Sequence, residues 1–247
     1  MRNVLRLLVI GLLLATAASH ADGITGVQAR LAKLLGIPAA NITPAPIPDL
    51  YRVTIGPQVA YITADGRYIV RGDIIDVHSG ENLTASSRAK LRVTYLKKLQ
   101  PADMIVFSPP HPKHTITVLT DIDCEYCRVF EQERPQLNSM GVAVRYMFYP
   151  DEGMNSPSWR KALNVWCAKD RNTALEQAMH GYPVKSPQCD AASMTVGYQF
   201  GRMMGVTGTP AIITDQGQLI PGYLPPASLV ALLNEGSQPH PKSGGSR

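Results

Sequence analysis

The sequence predicts a mixed α+β / α/β chain of two unequal domains: a small α+β N-terminal domain, a helical linker, and a larger domain where strands alternate with helices around a helical insertion. Three observations predict it. "VAYITADGRYIV" sets two β-rich runs on either side of Asp65-Gly66, a strong hairpin signal. "NLTASSRAKLRVTYLKKL" is polar, helix-tolerant and free of Gly and Pro. "HTITVLT" and "VAVRYMFYP" are strand-like runs separated by one helical segment, an order that favours parallel pairing of the two strands.

The chain opens with Arg2 and Arg6 ahead of "LRLLVIGLLLATAA", an apolar run too short to span a bilayer comfortably, and small Ser19 and Ala21 follow. This is the pattern of an export signal cleaved after Ala21; a single membrane anchor is the alternative. Residues 1–21 are therefore read as signal peptide. Their removal lowers the formal charge from +5 to +3. So mild a basicity, with no Lys/Arg-rich run interleaved with aromatics, excludes the nucleic-acid-binding classes.

The N-terminal domain is expected over 22–81. "TGVQARLAKLLG" places Val27, Leu31, Leu34 and Leu35 on one helical face, and Gly36 is a C-terminal stop. After the hairpin, "GDIIDV" is read as further strand beyond Gly72. The block has few large apolar side chains, so a second copy of the chain is the economical source of a covering surface. The linker is expected over 82–102, with Leu91, Tyr95 and Leu99 on one stripe; alternatively it is the first helix of the second domain.

The second domain is expected over 103–235. Between its two strand-like runs a helix spans Cys124 to Met140 and ends at Gly141. Two or three helices follow, one starting at the cap-plus-first-turn pair Ser156-Pro157 and another near Asp190. "PAIIT" and "QLIPGY" read as an antiparallel hairpin and "PASLVALLNE" as a closing helix. Residues 236–247 are composed for disorder.

The chemistry is concentrated in "TDIDCEYCRVF". Cys-x-x-Cys at a helix start brings both sulfurs within one turn. Cys124 sits nearest the unsatisfied N–H groups and the positive end of the helix dipole, which favour thiolate, the attacking species. Cys127, one turn further in, is placed to resolve a mixed disulfide. A structural zinc site would need two more ligands closing on the pair. Cys167 and Cys189 form no knuckle, and the β-run after His111 and His114 carries those rings away. A purely structural Cys124–Cys127 disulfide is a further alternative. No metal or organic cofactor is called for. Four cysteines allow three pairings; Cys167 with Cys189 is the natural remaining pair, and a loop of that size is worth about 3 kcal/mol in the chain-entropy view.

Together "ITPAPIPDLY", "YITADGRYIVRGDIIDV", "HTITVLTDIDCEYC", "VRYMFYP", "WCAKD", "GVTGTPAII" and "LIPGYLPP" resemble the DsbC/DsbG family of periplasmic disulfide isomerases within the thioredoxin superfamily, on the DsbC side. The likeness runs from Ile24 to Leu233. It implies a V-shaped homodimer paired through strand material near Gly72, a thioredoxin-fold catalytic domain, and a cleft that binds misfolded, disulfide-containing exported proteins. It implies Cys124 as nucleophile, Cys127 as resolving thiol, Thr209-Pro210 as a cis-proline loop facing the site, and Cys167–Cys189 as a structural disulfide. It also implies a periplasmic location and a DsbD-like membrane thiol reductase as electron donor. Within the family, reduction of sulfenylated cysteines is the alternative activity; outside it, a non-catalytic holdase is.

Two residues depart from the family's pattern. Glu125 stands where close relatives carry Gly or Pro, and Pro135 falls inside the helix, where it is expected to kink it near Glu131. Glu125 is expected to interact favourably with the helix N-terminus by about 0.3–1 kcal/mol and to raise the Cys124 pKa. Arg128 is expected to offset part of that, so Glu125, Tyr126 and Arg128 are the expected redox-tuning residues.

Overall fold

The computed structural model describes residues 23–236, in two compact units divided near Gly72. The expected signal peptide and the C-terminal tail lie outside the described residues.

The first unit opens with α1 (Gly23–Leu35), closed by Gly36 at a left-handed φ of +66°. Four strands follow: β1 (Ile42–Pro44), β2 (Leu50–Ile55), β3 (Gln58–Thr63) and β4 (Ile69–Val70), in the order β1-β2-β3-β4. β3 and β4 form the expected hairpin, pairing Tyr61 with Val70 and Ile62 with Ile69. Its turn is fixed by the Asp65 carboxylate, which accepts the Thr63 hydroxyl and the Arg67 N–H, and by Gly66 at φ +78°. Leu31, Ile42, Tyr51, Val53 and Ile62 form the small core, with Val27 and Leu35 against it. Leu34, expected on the same stripe, is 61% exposed. The edge strand β4 leaves Tyr68, Ile69 and Val70 exposed.

The strand expected past Gly72 does not form. Gly72 lies in a bend beyond β4, Ile75 makes only an isolated antiparallel bridge to Asn82, and residues 77–79 turn between them. The Asp76 carboxylate accepts the N–H groups of His78 and Ser79; the Gly80 N–H donates to the Asp76 carbonyl and the Asp76 N–H to the Glu81 carbonyl, which closes the turn. Local side-chain bonding outcompetes the short apolar run, and Ile75 and Val77 stay exposed.

The linker segment forms α2 (Leu83–Leu96), capped by Asn82, whose side chain accepts the Ala85 N–H at 2.8 Å. It belongs with the second unit. The helix stops before Leu99, yet Tyr95, Leu96 and Leu99 all pack on one face of that unit's sheet.

That sheet has five strands, β5 (Ile105–Phe107), β6 (His114–Thr120), β7 (Val142–Phe148), β8 (Ala211–Thr214) and β9 (Leu219–Pro221), ordered β5-β7-β6-β8-β9. β6 and β7 are parallel, joined through α3 (Glu125–Ser139); every other pairing is antiparallel. Alternation along the strands serves two cores. Ile116, Val118, Val144 and Tyr146 meet Cys127, Phe130 and Leu137 of α3 on one face. Leu119, Met147 and Ile213 meet Phe200 and Met204 of the other helical layer. α3 is one unbroken helix through Pro135.

The insertion comprises α4 (Pro157–Trp166), α5 (Arg171–Met179) and α6 (Ala192–Met204). Ser156 caps α4 by accepting the Trp159 N–H at 3.0 Å, and Pro157 takes the first helical position. The Cys167–Cys189 disulfide, with Cα atoms 5.5 Å apart, ties the end of α4 to the loop before α6. α7 (Pro226–Gly236) closes the domain, burying Leu229 and Leu233 against the α3 face. Among the described residues no helix is long and apolar enough to cross a membrane.

Candidate active site

The site forms where β6 ends and α3 begins. Cys124 is the N-cap of α3, with φ −77° and ψ 124°, and its sulfur does what a capping oxygen does elsewhere: it accepts the Cys127 N–H at 3.2 Å. The two thiols are free in this structure. Cys124 is half-buried, whereas Cys127 is 1% exposed and accepts the Asp121 N–H at 3.5 Å.

The surroundings drive the two sulfurs apart. The Cys124 pKa falls to about 6 because the Cys127 thiol hydrogen-bonds its sulfur, helped by the Cys127 N–H and by Thr209; burial and the charge of Asp151 oppose the fall. Cys127 moves strongly the other way, through burial first and then the neighbouring Cys124. Near neutral pH one sulfur is a thiolate and the other keeps its proton.

The Thr209–Pro210 peptide is cis and faces this pair: the Cys124 thiol donates to the Thr209 carbonyl at 3.3 Å. The Thr209 hydroxyl donates to Asp151 Oδ2 at 3.1 Å, and the Asp151 N–H donates to Asp121 Oδ2 at 3.1 Å. Cys124, Thr209, Asp151, Asp121 and Cys127 thus form a closed circuit of hydrogen bonds around the thiols. Asp121 is buried and also accepts from the Asp123 N–H and the Ser158 hydroxyl. Beside the loop lies a groove of about 850 Å³, lined by Arg88 and Arg92 of α2, the 205–209 loop, Asp151 and the β9 edge.

The sequence-predicted tuning residues sit as follows. Glu125 is exposed in the first turn of α3. Tyr126 is 62% exposed and stacks on Tyr223, ring centres 6.2 Å apart. Arg128 does not pair with Glu125. Its guanidinium donates to the Ile122 carbonyl at 2.8 Å and reaches the Asp123 carboxylate at 3.4 Å, which Lys161 also holds.

Two features escaped the sequence reading. Asp151 and Asp121 are one; their signal was a pair of carboxylates directly following the two parallel strands. The other is a buried ionic cluster on the helix, whose signal was the i,i+3 pair Glu131/Arg134. Arg134 Nε donates to Glu131 at 2.9 Å, another of its nitrogens meets Glu176, and its guanidinium lies over the Phe107 ring at 3.8 Å. Burial raises the Glu131 pKa despite this partner. Among the described residues no group of His, Cys, Asp and Glu is arranged to hold a metal ion.

This arrangement can exchange thiols and disulfides: one sulfur favoured as thiolate, a second, buried sulfur within one helical turn, and a backbone carbonyl beside them. Comparison with known proteins agrees. Residues 100–237 match the thioredoxin-like domain family, and residues 14–85 match the disulfide bond isomerase protein N-terminal domain. The chain is 36% identical over 220 residues to the thiol:disulfide interchange protein DsbC of Salmonella typhimurium, covering 89% of this chain and 90% of that one. It is 37% identical over 212 residues to the DsbC of Dickeya dadantii, covering 85% and 87%. Among solved structures, a disulfide interchange protein from Neisseria gonorrhoeae superposes with a TM-score of 0.51 at 26% identity, covering 57% of this chain and all of that one.

Proposed function

Because the chain belongs to the DsbC family of thiol:disulfide interchange proteins, we propose that it rearranges and reduces incorrect disulfides in exported proteins, with Cys124 as nucleophile and Cys127 as resolving thiol. The observation that carries this reading is the contrast between the two sulfurs, one lowered to about 6 at a helix cap and the other buried and raised.

The Cys124 thiolate attacks one sulfur of a client disulfide. That S–S bond breaks, a Cys124–client disulfide forms, and the other client sulfur leaves as a thiolate. A client thiolate that then attacks the client-side sulfur of the mixed disulfide restores Cys124 and leaves a rearranged client, with no net oxidation. If Cys127 loses its proton and attacks Cys124 Sγ, the client departs reduced and a Cys124–Cys127 disulfide remains. A membrane thiol reductase of the DsbD type then returns the pair to dithiol. The cis Thr209–Pro210 peptide, with its carbonyl at the nucleophile, is read as the place where an extended client backbone pairs.

Exposed Ile69 and Val70 on the short edge strand β4, with exposed Tyr68 just before it, support a homodimer built through the N-terminal unit, with clients held in the cleft between subunits. The arginine-flanked apolar start of the sequence supports export to the periplasm. Glu125 is read as a weak tuning residue acting in the same direction as Asp151.

The test is refolding of a scrambled multi-disulfide protein by the reduced wild type, Cys124→Ala and Cys127→Ala. Wild type recovers native pairs, Cys124→Ala does not, and Cys127→Ala keeps a part, since isomerisation needs only the first sulfur. No recovery by wild type overturns the proposal.

A further inference from the structure

Asp151 is the one carboxylate among the described residues lining the groove beside the cis-proline loop. It is fixed at both ends, by its N–H to Asp121 Oδ2 and by the Thr209 hydroxyl on its own carboxylate. Through Thr209 it is one residue removed from the nucleophile, because the same threonine's carbonyl accepts from Cys124. Its charge acts on the Cys124 thiol and opposes the thiolate.

Among the described residues no lysine, arginine or histidine forms an ion pair with Asp151, whereas Asp123, the neighbouring surface carboxylate, is held by both Lys161 and Arg128. The arginines across the groove are engaged elsewhere: Arg88 with Asp73 at 2.7 Å, and Arg92 with the Gly217 carbonyl at 3.1 Å. Buried Asp121 behind it and exposed Glu152 next along the chain are themselves acidic. An unpaired carboxylate held rigidly beside a thiolate leaves one favourable partner missing, a cation brought in by whatever docks there.

We propose that Asp151 is a specificity-determining residue of the exchange reaction, selecting client cysteines flanked by a basic residue. This rests on the reading of Cys124 as the attacking thiol. A client Lys or Arg placed against Asp151 docks the chain at the cis-proline loop. The gain is in docking: Cys124 is already thiolate near neutral pH, so the ion pair raises the productive encounter rate rather than the sulfur's own reactivity. Bond changes are those of ordinary exchange: the client S–S bond breaks, the Cys124–client bond forms, and the client's other sulfur leaves as thiolate.

The test uses the reduced full-length protein and three glutathione-blocked cysteine peptides, identical except for lysine, glutamate or alanine on both sides of the cysteine. Rate constants are measured by stopped flow at low and high salt. At low salt the lysine-to-glutamate rate ratio of the wild type should exceed that of Asp151→Asn by about three- to tenfold, and the difference should shrink at high salt. Asparagine keeps an acceptor for the Thr209 hydroxyl, so loss of charge is the variable. Asp151→Lys should invert the difference in favour of the glutamate peptide, and Glu235→Gln, at the exposed end of α7, should leave the wild-type ratio in place. Asp151→Asn should also move the Cys124 titration below its midpoint of about 6, which loss of a merely structural contact would not do. An unchanged ratio in Asp151→Asn or Asp151→Lys, or a change as large in Glu235→Gln, overturns the proposal. Failure of the wild type to react with the alanine peptide would instead overturn the exchange function itself.

Discussion

The Cys127 N–H lies 3.2 Å from the Cys124 sulfur, so the backbone of Cys127 stabilises charge on Cys124. Placing a cysteine at the N-cap converts the unmet donors of a helix start into an activating device. Alkylation of the reduced protein should therefore rise with pH, with a midpoint of about 6, and plateau above pH 7.5 or so. Cys127 should remain unlabelled throughout, because its thiol is buried and its pKa raised. Mass spectrometry of the labelled peptide measures both; a single midpoint near 9 would contradict the geometry.

The same shift makes stability depend on pH. The Cys124 thiol titrates at about 6 in the folded protein and at its ordinary value near 9 when unfolded. Its contribution is thus fully present above pH 9 and is lost as pH falls to 6. Thermal melts of the reduced protein should show the advantage of wild type over Cys124→Ala growing from pH 6 to pH 9. Parallel curves for the two proteins across that window would refute it.

The ionic cluster under the redox helix is the most sensitive part of the scaffold. Glu131 is 2% exposed and burial already raises its pKa; Arg134 is its nearest cation and links it to Glu176. Arg134→Met leaves that carboxylate buried without its guanidinium and should destabilise the protein by about 3–5 kcal/mol, read as a lowered urea midpoint. Adding Glu131→Leu should recover part of the loss, since a buried pair is costlier to break than to replace.

What could be read from sequence was local. The CxxC pair, the flanking strands, the Asp65-Gly66 hairpin and the Ser156-Pro157 start all announce themselves within a few residues. What could not be read depends on partners far along the chain. β5 is three residues long and exists because it pairs with β7. "GDIIDV" has strand composition but, among the described residues, makes only the isolated bridge of Ile75 with Asn82, and Asp76 bonds its own turn. Glu125 drew attention as the carboxylate between the two cysteines in sequence. The parallel register that sets Thr120 beside Phe148 brings Asp151, thirty residues past Asp121, to the same site.

The groove's far wall offers a last prediction. Gly217 turns the β8–β9 hairpin at φ +81°, and a Cβ there would lie 2.1 Å from the Ala89 carbonyl oxygen of α2. Both facts oppose a side chain: the backbone conformation is one that L-residues rarely adopt, and the obstructing atom is backbone that cannot rotate aside. Gly217→Ala should destabilise the second unit by about 2 kcal/mol or more. It should also shift α2, carrying Arg88 and Arg92 away from the groove, because Arg92 is bonded to the Gly217 carbonyl. Cys124 and the cis peptide are built on other elements. The variant should therefore react with extended clients at a raised KM while its alkylation midpoint stays at about 6. If KM is unchanged, the α2 wall takes no part in holding clients; if the midpoint moves, the groove and the thiol are more tightly coupled than their separate supports imply.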